Sequence, residues 1–118
     1  MAVHFITSDA KSLLDNFNAR IDQKEATGKV TTWERSEDGN YYTHKAQDWN
    51  RKAWFRPKIE KNQLTFNLIR PKGLGISVTV YAYYHGHMLE TFLNHFDKSF
   101  ENGIVTALPG PGDNVTSK

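Results

Sequence analysis

Residues 53–68 read AWFRPKIEKNQLTFNL, and this stretch decides the fold class of the chain. Apolar and polar side chains alternate on both sides of a central Glu-Lys-Asn-Gln turn, which is the period of β-strands with one buried face. The alternation predicts a β-hairpin in which Ile59 lies opposite Leu64 and Phe55 lies opposite Leu68. Its apolar side chains then share one face, so a second layer of structure must cover them.

More strands are predicted on both sides of this hairpin, where β-branched and aromatic residues recur with a period of two. Before the hairpin, residues 29–35 and 40–46 are predicted to pair around an Asp-Gly turn, a dipeptide that suits positive backbone angles. After the hairpin, residues 76–83 are predicted to form a strand with Tyr81 and Tyr83 on its polar face. These strands extend the hairpin into a larger antiparallel sheet.

Two amphipathic helices are predicted to form the second layer. The first covers about residues 8–25 and is capped by Thr7 or Ser8, and the second covers about residues 87–101 and ends before Gly103. In each helix, apolar residues recur three or four positions apart, which places them on one face. These apolar residues are Leu13, Leu14, Phe17 and Ile21 in the first helix and Leu89, Phe92, Leu93, Phe96 and Phe100 in the second.

With a short first strand at residues 3–6, the elements predict an α+β fold: a curved antiparallel sheet of five or six strands with two helices packed on one face. This element order resembles a minimal helix-grip (START-like) fold, without the pair of short helices that usually follows the first strand there. Residues 1–108 are predicted to form a single domain, because a chain of 118 residues has room for one core. Residues 109–118 are rich in proline and glycine and are predicted to be a flexible tail.

The composition fits a globular protein, with 38% hydrophobic residues, 24% charged residues and a net charge of +2. The chain has no cysteine, which excludes disulfides and thiol nucleophiles. No apolar run approaches the roughly 20 residues that span a bilayer, and the first residues lack the features of a secretion signal. The sequence therefore predicts a cytoplasmic protein with no membrane contact, as a monomer or a weak homodimer.

Histidines gather near the start of the second predicted helix, where His85 and His87 are followed by Glu90. Imidazole and carboxylate groups are ordinary ligands of zinc or iron, so these three residues are the candidate metal ligands. Their spacing matches no known zinc signature, since a single glycine separates the two histidines. The simpler interpretation places the histidines at a junction between strand and helix, and no cofactor is predicted.

No catalytic residue is predicted. The acidic residues are scattered among lysines and arginines and form no pair for acid–base chemistry, and no serine lies in a G-x-S-x-G turn. Gly73 and Gly75 precede a predicted strand rather than a helix, which is not typical of a phosphate-binding loop.

Aromatic and basic residues concentrate in residues 41–61, which hold six lysines and arginines but two acidic residues, a net charge of +4. Aromatic rings stack on bases or anchor the side chains of a partner, while lysine and arginine contact phosphates or carboxylates. The candidate ligand or partner-binding residues are Trp54, Arg56, Tyr81, Tyr83, Tyr42, His44 and Trp49. Trp54, Arg56, Tyr81 and Tyr83 are expected to share the sheet face that points away from the helices.

The sequence alone does not determine the function. We favour a non-catalytic binding module that holds a protein partner or a small apolar ligand between the curved sheet and the second helix. Two alternatives remain open: a small enzyme that uses the same cavity, and nucleic-acid binding through the basic aromatic middle segment.

Overall fold

The computed structural model describes residues 1–115 and confirms an α+β fold, in which six strands form one antiparallel sheet. In chain order the elements are β1 (Ala2–Ile6), α1 (Ala10–Asp22), β2 (Trp33–Arg35), β3 (Tyr42–His44), β4 (Trp54–Glu60), β5 (Gln63–Ile69), α2 (Val78–Phe96) and β6 (Asn102–Thr106). The strands lie in the order β2-β3-β4-β5-β1-β6, so the sheet is open and β2 and β6 are its two edges. Both helices pack on one face of this sheet. No helix within residues 1–115 is long and apolar enough to cross a membrane.

The hairpin of β4 and β5 forms the middle of the sheet, and its predicted register is confirmed. Phe55 pairs with Leu68 and Ile59 pairs with Leu64, as the alternation of apolar residues requires. Asn62 lies in the turn with a φ of 61°, a left-handed conformation that asparagine tolerates better than most residues. A short turn and a strict period of two therefore determine the pairing locally.

Helix α1 is shorter than predicted. It begins after Asp9, whose side chain accepts a hydrogen bond from the Ser12 N–H at 3.0 Å, so the N-cap is neither Thr7 nor Ser8. The helix ends at Asp22, before the predicted boundary at residue 25. Its apolar side chains Leu13 and Phe17 are buried, as predicted. The strands on either side of the Asp-Gly turn are also shorter than predicted, since only three residues of each pair as β2 and β3.

The prediction of a strand over residues 76–83 is wrong, because α2 already begins at Val78. Ser77 caps the helix, and its Oγ accepts a hydrogen bond from the Val80 N–H at 3.2 Å. Valine and threonine are common in strands, but packing of the following residues in the core overrides that preference. Val78, the first residue of the helix, is 71% exposed. The residues that α2 buries follow the helical period: Tyr84, His85, Met88, Thr91, Phe92 and Phe96.

The second helix also ends earlier than predicted, at Phe96, and the sixth strand comes from the residues that follow it. Gly103, predicted to end the helix, instead lies within β6, which pairs with β1 at the sheet edge. A Cβ atom at Gly103 would lie 2.8 Å from Leu89 Cδ2, so a larger residue at this position would require the Leu89 side chain to move. The sheet therefore gains its sixth strand by a pairing of residues about 100 positions apart.

The space between the sheet and the helices is filled by aromatic rings. Phe92 of α2 stacks on Phe5 of β1 with ring centroids 4.1 Å apart, and it lies 5.0 Å from Phe17 of α1. The Trp33 Nε1–H donates to Thr91 Oγ1 at 3.0 Å, which satisfies the one polar atom of the buried indole. The largest fully buried side chains are Trp33, Tyr42, Tyr84, Phe5, Phe17, Phe55, Phe66, Phe92, Leu13, Leu64, Leu68 and Met88.

Part of the predicted tail lies against the sheet. Asn67 Nδ2 donates to the Pro111 carbonyl at 3.0 Å and to Asp113 Oδ1 at 2.9 Å, and Arg56 donates to the Gly112 carbonyl at 2.8 Å. Asn67, which alternates with the apolar residues of β5, is buried beneath this segment. The division into a domain at 1–108 and a flexible tail at 109–118 stays a prediction, and residues 116–118 lie outside the described residues.

Candidate functional site

The candidate residues of the sequence analysis do not form one site. Because residues 78–96 are helical, Tyr81 and Tyr83 do not share a sheet face with Trp54 and Arg56, and that expectation is wrong. The structure distributes the candidates over four places: Trp54 and Arg56 on the open sheet face, Tyr42 in the core, His44, Trp49, Tyr83, His87 and Glu90 at the end of β3, and Tyr81 and His85 beside β6.

Tyr42 lies in the core. Its ring packs against Phe17 with centroids 4.9 Å apart, and its hydroxyl donates to Asn18 Oδ1. Burial raises the pKa of Tyr42 to about 12, so the phenol stays neutral over the whole physiological range. Its role is therefore to fill the space between α1 and the sheet.

His44 of β3 and His87 of α2 form a hydrogen-bonded pair. The Ala46 N–H donates to His44 Nδ1 at 3.1 Å, so the neutral His44 ring carries its proton on Nε2. That Nε2 donates in turn to His87 Nδ1 at 3.1 Å. Burial, and then the neighbouring His87, lower the pKa of His44 to about 4. Both ring nitrogens of His44 are thus satisfied within the protein.

Aromatic stacking holds this pair in place on its other side. Trp49 stacks on Tyr83 with centroids 3.7 Å apart and planes 8° from parallel, and Tyr83 stacks on His87 at 4.0 Å and 20°. A shallow pocket of about 320 Å³ adjoins the pair, with Lys45 and Glu90 on its rim. Because the rings of Trp49 and Tyr83 cover each other, stacking of a base on Tyr83 would have to displace Trp49.

The candidate metal ligands are divided between two sides of α2. His87 bonds to His44, whereas His85 lies beside β6, so the two imidazoles do not converge. Within residues 1–115, no group of three or more His, Cys, Asp or Glu side chains could hold a metal ion.

The open sheet face carries a small apolar pocket around Trp54. The pocket measures about 220 Å³, and Tyr41 and Ile69 line it with Trp54. Trp54 pairs directly with Ile69 across the hairpin, which is the cover that the hairpin register predicted. The Arg51 guanidinium already lies 5.8 Å from the Trp54 ring centroid, and Arg56 bonds to the Gly112 carbonyl. The aromatic ring and the cations of this face therefore interact with their own chain.

A groove of about 320 Å³ runs between α2 and the edge strand β6. Small and apolar side chains dominate its walls, since Ala82, Gly86 and Leu89 of α2 face Val105 of β6. Apart from its chain neighbours and the backbone of its own helix, no atom of residues 1–115 lies within 4 Å of the position that a Cβ at Gly86 would take, so the groove is open there. Tyr81 and His85 complete the helix wall.

The backbone of β6 turns hydrogen-bonding groups outward at the sheet edge, and no other strand within residues 1–115 pairs with them. The Leu68 N–H donates a hydrogen bond to the Met1 carbonyl. The odd-numbered residues of β1 therefore direct their backbone N–H and C=O groups to β5, and the even-numbered residues direct theirs to β6. Ile104 lies opposite His4, and it therefore points its N–H and C=O inward to β1. Gly103 and Val105 then point theirs outward, past the sheet edge, because successive residues of a strand alternate.

One polar side chain in the groove wall lacks a partner. His85 is 5% exposed, and its Nδ1 lies 2.7 Å from the Tyr81 carbonyl oxygen. Its buried Nε2 has no hydrogen-bond partner within residues 1–115. Most buried polar atoms are paired, so an unpaired one in a groove is a point where a ligand group could bind.

The groove was not predicted from the sequence, because residues 76–83, which include part of its helix wall, have the composition of a strand. Ala82 and Gly86 are four positions apart, and Gly86 and Leu89 are three apart, which is helical spacing. This pattern becomes visible only when the helix is extended back to Val78. No signal in the sequence indicates that β6 pairs with β1.

Comparison with known proteins adds no family to this description. No protein-family model matches the chain, and neither a curated protein nor a solved structure was found to match it. The function proposed below rests on the geometry of residues 1–115.

Proposed function

We propose that the protein is a non-catalytic binding module whose groove between α2 and β6 takes an extended segment of a partner protein. The segment adds to β6 as a further strand and places every second side chain against α2. The observation that carries this proposal is the edge strand β6, whose backbone groups at Gly103 and Val105 point outward and whose Val105 lines an apolar groove. Strand addition uses this combination, with backbone bonds for affinity and pockets for alternate side chains.

The distribution of exposed apolar residues supports this position of the partner. Ile104, Val105 and Leu108 are 45%, 49% and 81% exposed, and all lie in or just after β6. On α2, Leu93 is 57% exposed and continues the helical spacing of Leu89. An edge strand with exposed apolar side chains is a ready template for another chain, and an apolar surface of this kind commonly marks a contact site.

A protein segment fits better than a small apolar ligand held inside the fold. The space between the sheet and α2 is occupied by Phe5, Phe66 and Phe92, whose ring centroids lie 4.1–6.2 Å apart. The groove lies at the sheet edge beside Val105, and the outward backbone groups of this edge need a chain with matching N–H and C=O groups. A small apolar molecule offers neither.

The alternatives of an enzyme and of a nucleic-acid binder receive less support from the geometry. A histidine that acts as a general base needs a free ring nitrogen and a pKa near the working pH. Both ring nitrogens of His44 are hydrogen-bonded, and its pKa is lowered. On the basic segment, Lys58 lies 3.4 Å from Glu60, and Arg56 bonds to Gly112. These contacts compete with phosphates for the same cations.

Substitution of Val105 by proline tests strand addition directly. Proline removes the outward N–H of Val105 and leaves the inward groups of Ile104 available to β1, so β6 itself can still pair. We expect peptides selected from a phage-displayed library of random ten-residue sequences to bind Val105→Pro at least about tenfold more weakly. Fluorescence anisotropy with labelled peptides gives the dissociation constants.

Two control variants make this result specific. Val105→Thr retains the N–H and the branched shape, and Trp54→Ser alters the open sheet face instead, so both should bind the selected peptides within about twofold of the original protein. Circular dichroism confirms that each variant is folded. Equal binding to Val105→Pro, or a loss of binding in Trp54→Ser alone, would show that the peptide does not add to β6.

A further inference from the structure

His85 lines the groove and carries a buried hydrogen-bond acceptor. The Tyr81 carbonyl can only accept, so the 2.7 Å contact requires the proton of the neutral His85 ring to be on Nδ1. Nε2 then presents a lone pair and cannot donate. Within residues 1–115, no hydrogen-bond donor reaches Nε2.

The surroundings of His85 favour the neutral ring. Burial lowers the pKa of His85, and the terminal ammonium group of Met1 lowers it further, while the Tyr81 carbonyl and Asp113 oppose the shift. A neutral acceptor repels the lone pairs of a carboxylate or phosphate. Acidic side chains and a terminal carboxylate are therefore poor matches for this position.

We propose that the segment bound in the groove carries an uncharged hydrogen-bond donor on the side chain that faces His85, namely the hydroxyl of Ser or Thr or the amide of Asn or Gln. This inference rests on the proposed function and names the feature of the segment that the groove selects. The donor bonds to Nε2 and removes the cost of leaving that buried acceptor unpaired.

The walls of the groove explain why the donor is uncharged. Ala82, Gly86, Leu89 and Val105 are apolar around the position, so a lysine or arginine head group would lose its water there, and the nearby Asp113 carboxylate is already paired with the Met1 ammonium group. The backbone groups of Val105 point outward, so Val105 pairs with a residue of the added strand, and the side chain of that residue points to the same side as Val105, toward α2. We assign this residue as the one whose side chain donates to His85.

A comparison of threonine and valine at this position tests the inference. The two side chains have nearly the same shape, but only threonine donates a hydrogen bond. Starting from a library-selected ten-residue peptide whose binding is lost in Val105→Pro, we expect Thr→Val opposite Val105 to weaken binding about tenfold. The same exchange should change binding to His85→Phe less than about twofold, because phenylalanine has no acceptor.

The matched control is His87→Phe, which makes the same substitution on another side of α2 and should keep the preference for threonine. A direct measurement covers the case in which His85→Phe does not fold. In the unaltered protein, the NMR shift of His85 Nε2 should change when the threonine peptide binds and should change less with the valine peptide.

The outcomes separate this inference from the proposed function. If selected peptides depend on Val105 but show no donor opposite it, or bind equally with threonine and valine, strand addition stands and the role of His85 is wrong. If no selected peptide depends on Val105, or no peptide is selected at all, both the proposed function and this inference are wrong.

Discussion

Helix α2 has a packed face and a neighbouring open face, and they differ in what surrounds them. On the packed face, Phe92 is fully buried and stacks on Phe5. On the open face, a Cβ at Gly86 would meet no atom within 4 Å, and the wall continues to the half-buried Leu89. The packed face supplies stability, whereas the open face can change with little loss of stability and is available to a partner.

The largest expected effect comes from truncation on the packed face. Phe92→Ala removes a ring that contacts Phe5, Phe17 and Phe96, and it should lower the free energy of unfolding by about 3–5 kcal/mol. The control is Leu93→Ala, one residue along and 57% exposed, which should cost less than about 1 kcal/mol. Urea unfolding of both variants gives the values. Similar costs for the two would mean that the two faces are not distinct.

Features that depend on neighbouring residues could be predicted from the sequence. The register of β4 and β5 follows from a strict alternation on both sides of a short turn, and it places Phe55 opposite Leu68 without knowledge of any other element. The buried residues of α1, Leu13 and Phe17, likewise follow from helical spacing alone. In both cases the relevant signal spans fewer than twenty residues.

The start of α2 and the groove could not be predicted in the same way. Val78 and Val80 have the composition of a strand, and Gly86 interrupts the helical pattern, so only burial of Tyr84 and Met88 reveals the helix. The groove then depends on the pairing of β6 with β1, which joins Ala2 to Thr106. Similarly, the bond between His44 and His87 joins residues 43 positions apart. Such contacts leave no trace in local periodicity.

The contact of α2 with β3 predicts an effect of pH on stability. His44 has a folded-state pKa of about 4, whereas an unperturbed histidine titrates near 6.5. Between these values the unfolded chain binds the proton more readily, so stability should be unaffected above about pH 6.5 and fall as the pH drops toward 4. The loss of unfolding free energy should reach about 1–3 kcal/mol. We expect a value in the lower part of this range, because water in the adjoining pocket screens the charge of the protonated His44 ring.

Two measurements check this effect. Urea unfolding between pH 7.5 and 4.5 gives the loss of stability, which should be smaller in His44→Gln, since glutamine does not titrate. NMR titration of the histidine ring protons gives the pKa of His44 itself. A value near 6.5 would show that the ring is not held in a desolvated, neutral pair.

The smallest expected effect is a gain in stability from filling the open face at Gly86. Alanine in a helix interior is favoured over glycine by about 0.5–1 kcal/mol, and at Gly86 the added methyl group would meet no atom within 4 Å. Gly86→Ala should therefore raise the free energy of unfolding by up to that amount. Gly103→Ala is the control across the groove, because its methyl group would lie 2.8 Å from Leu89 Cδ2, and it should destabilise the protein.

If Gly86→Ala is destabilising instead, that side of α2 is already in contact with other atoms, and the groove is not open to a partner. If it stabilises the protein but weakens the binding of selected peptides, the same methyl group fills space that the partner's side chain uses, and the open face of α2 is the binding face.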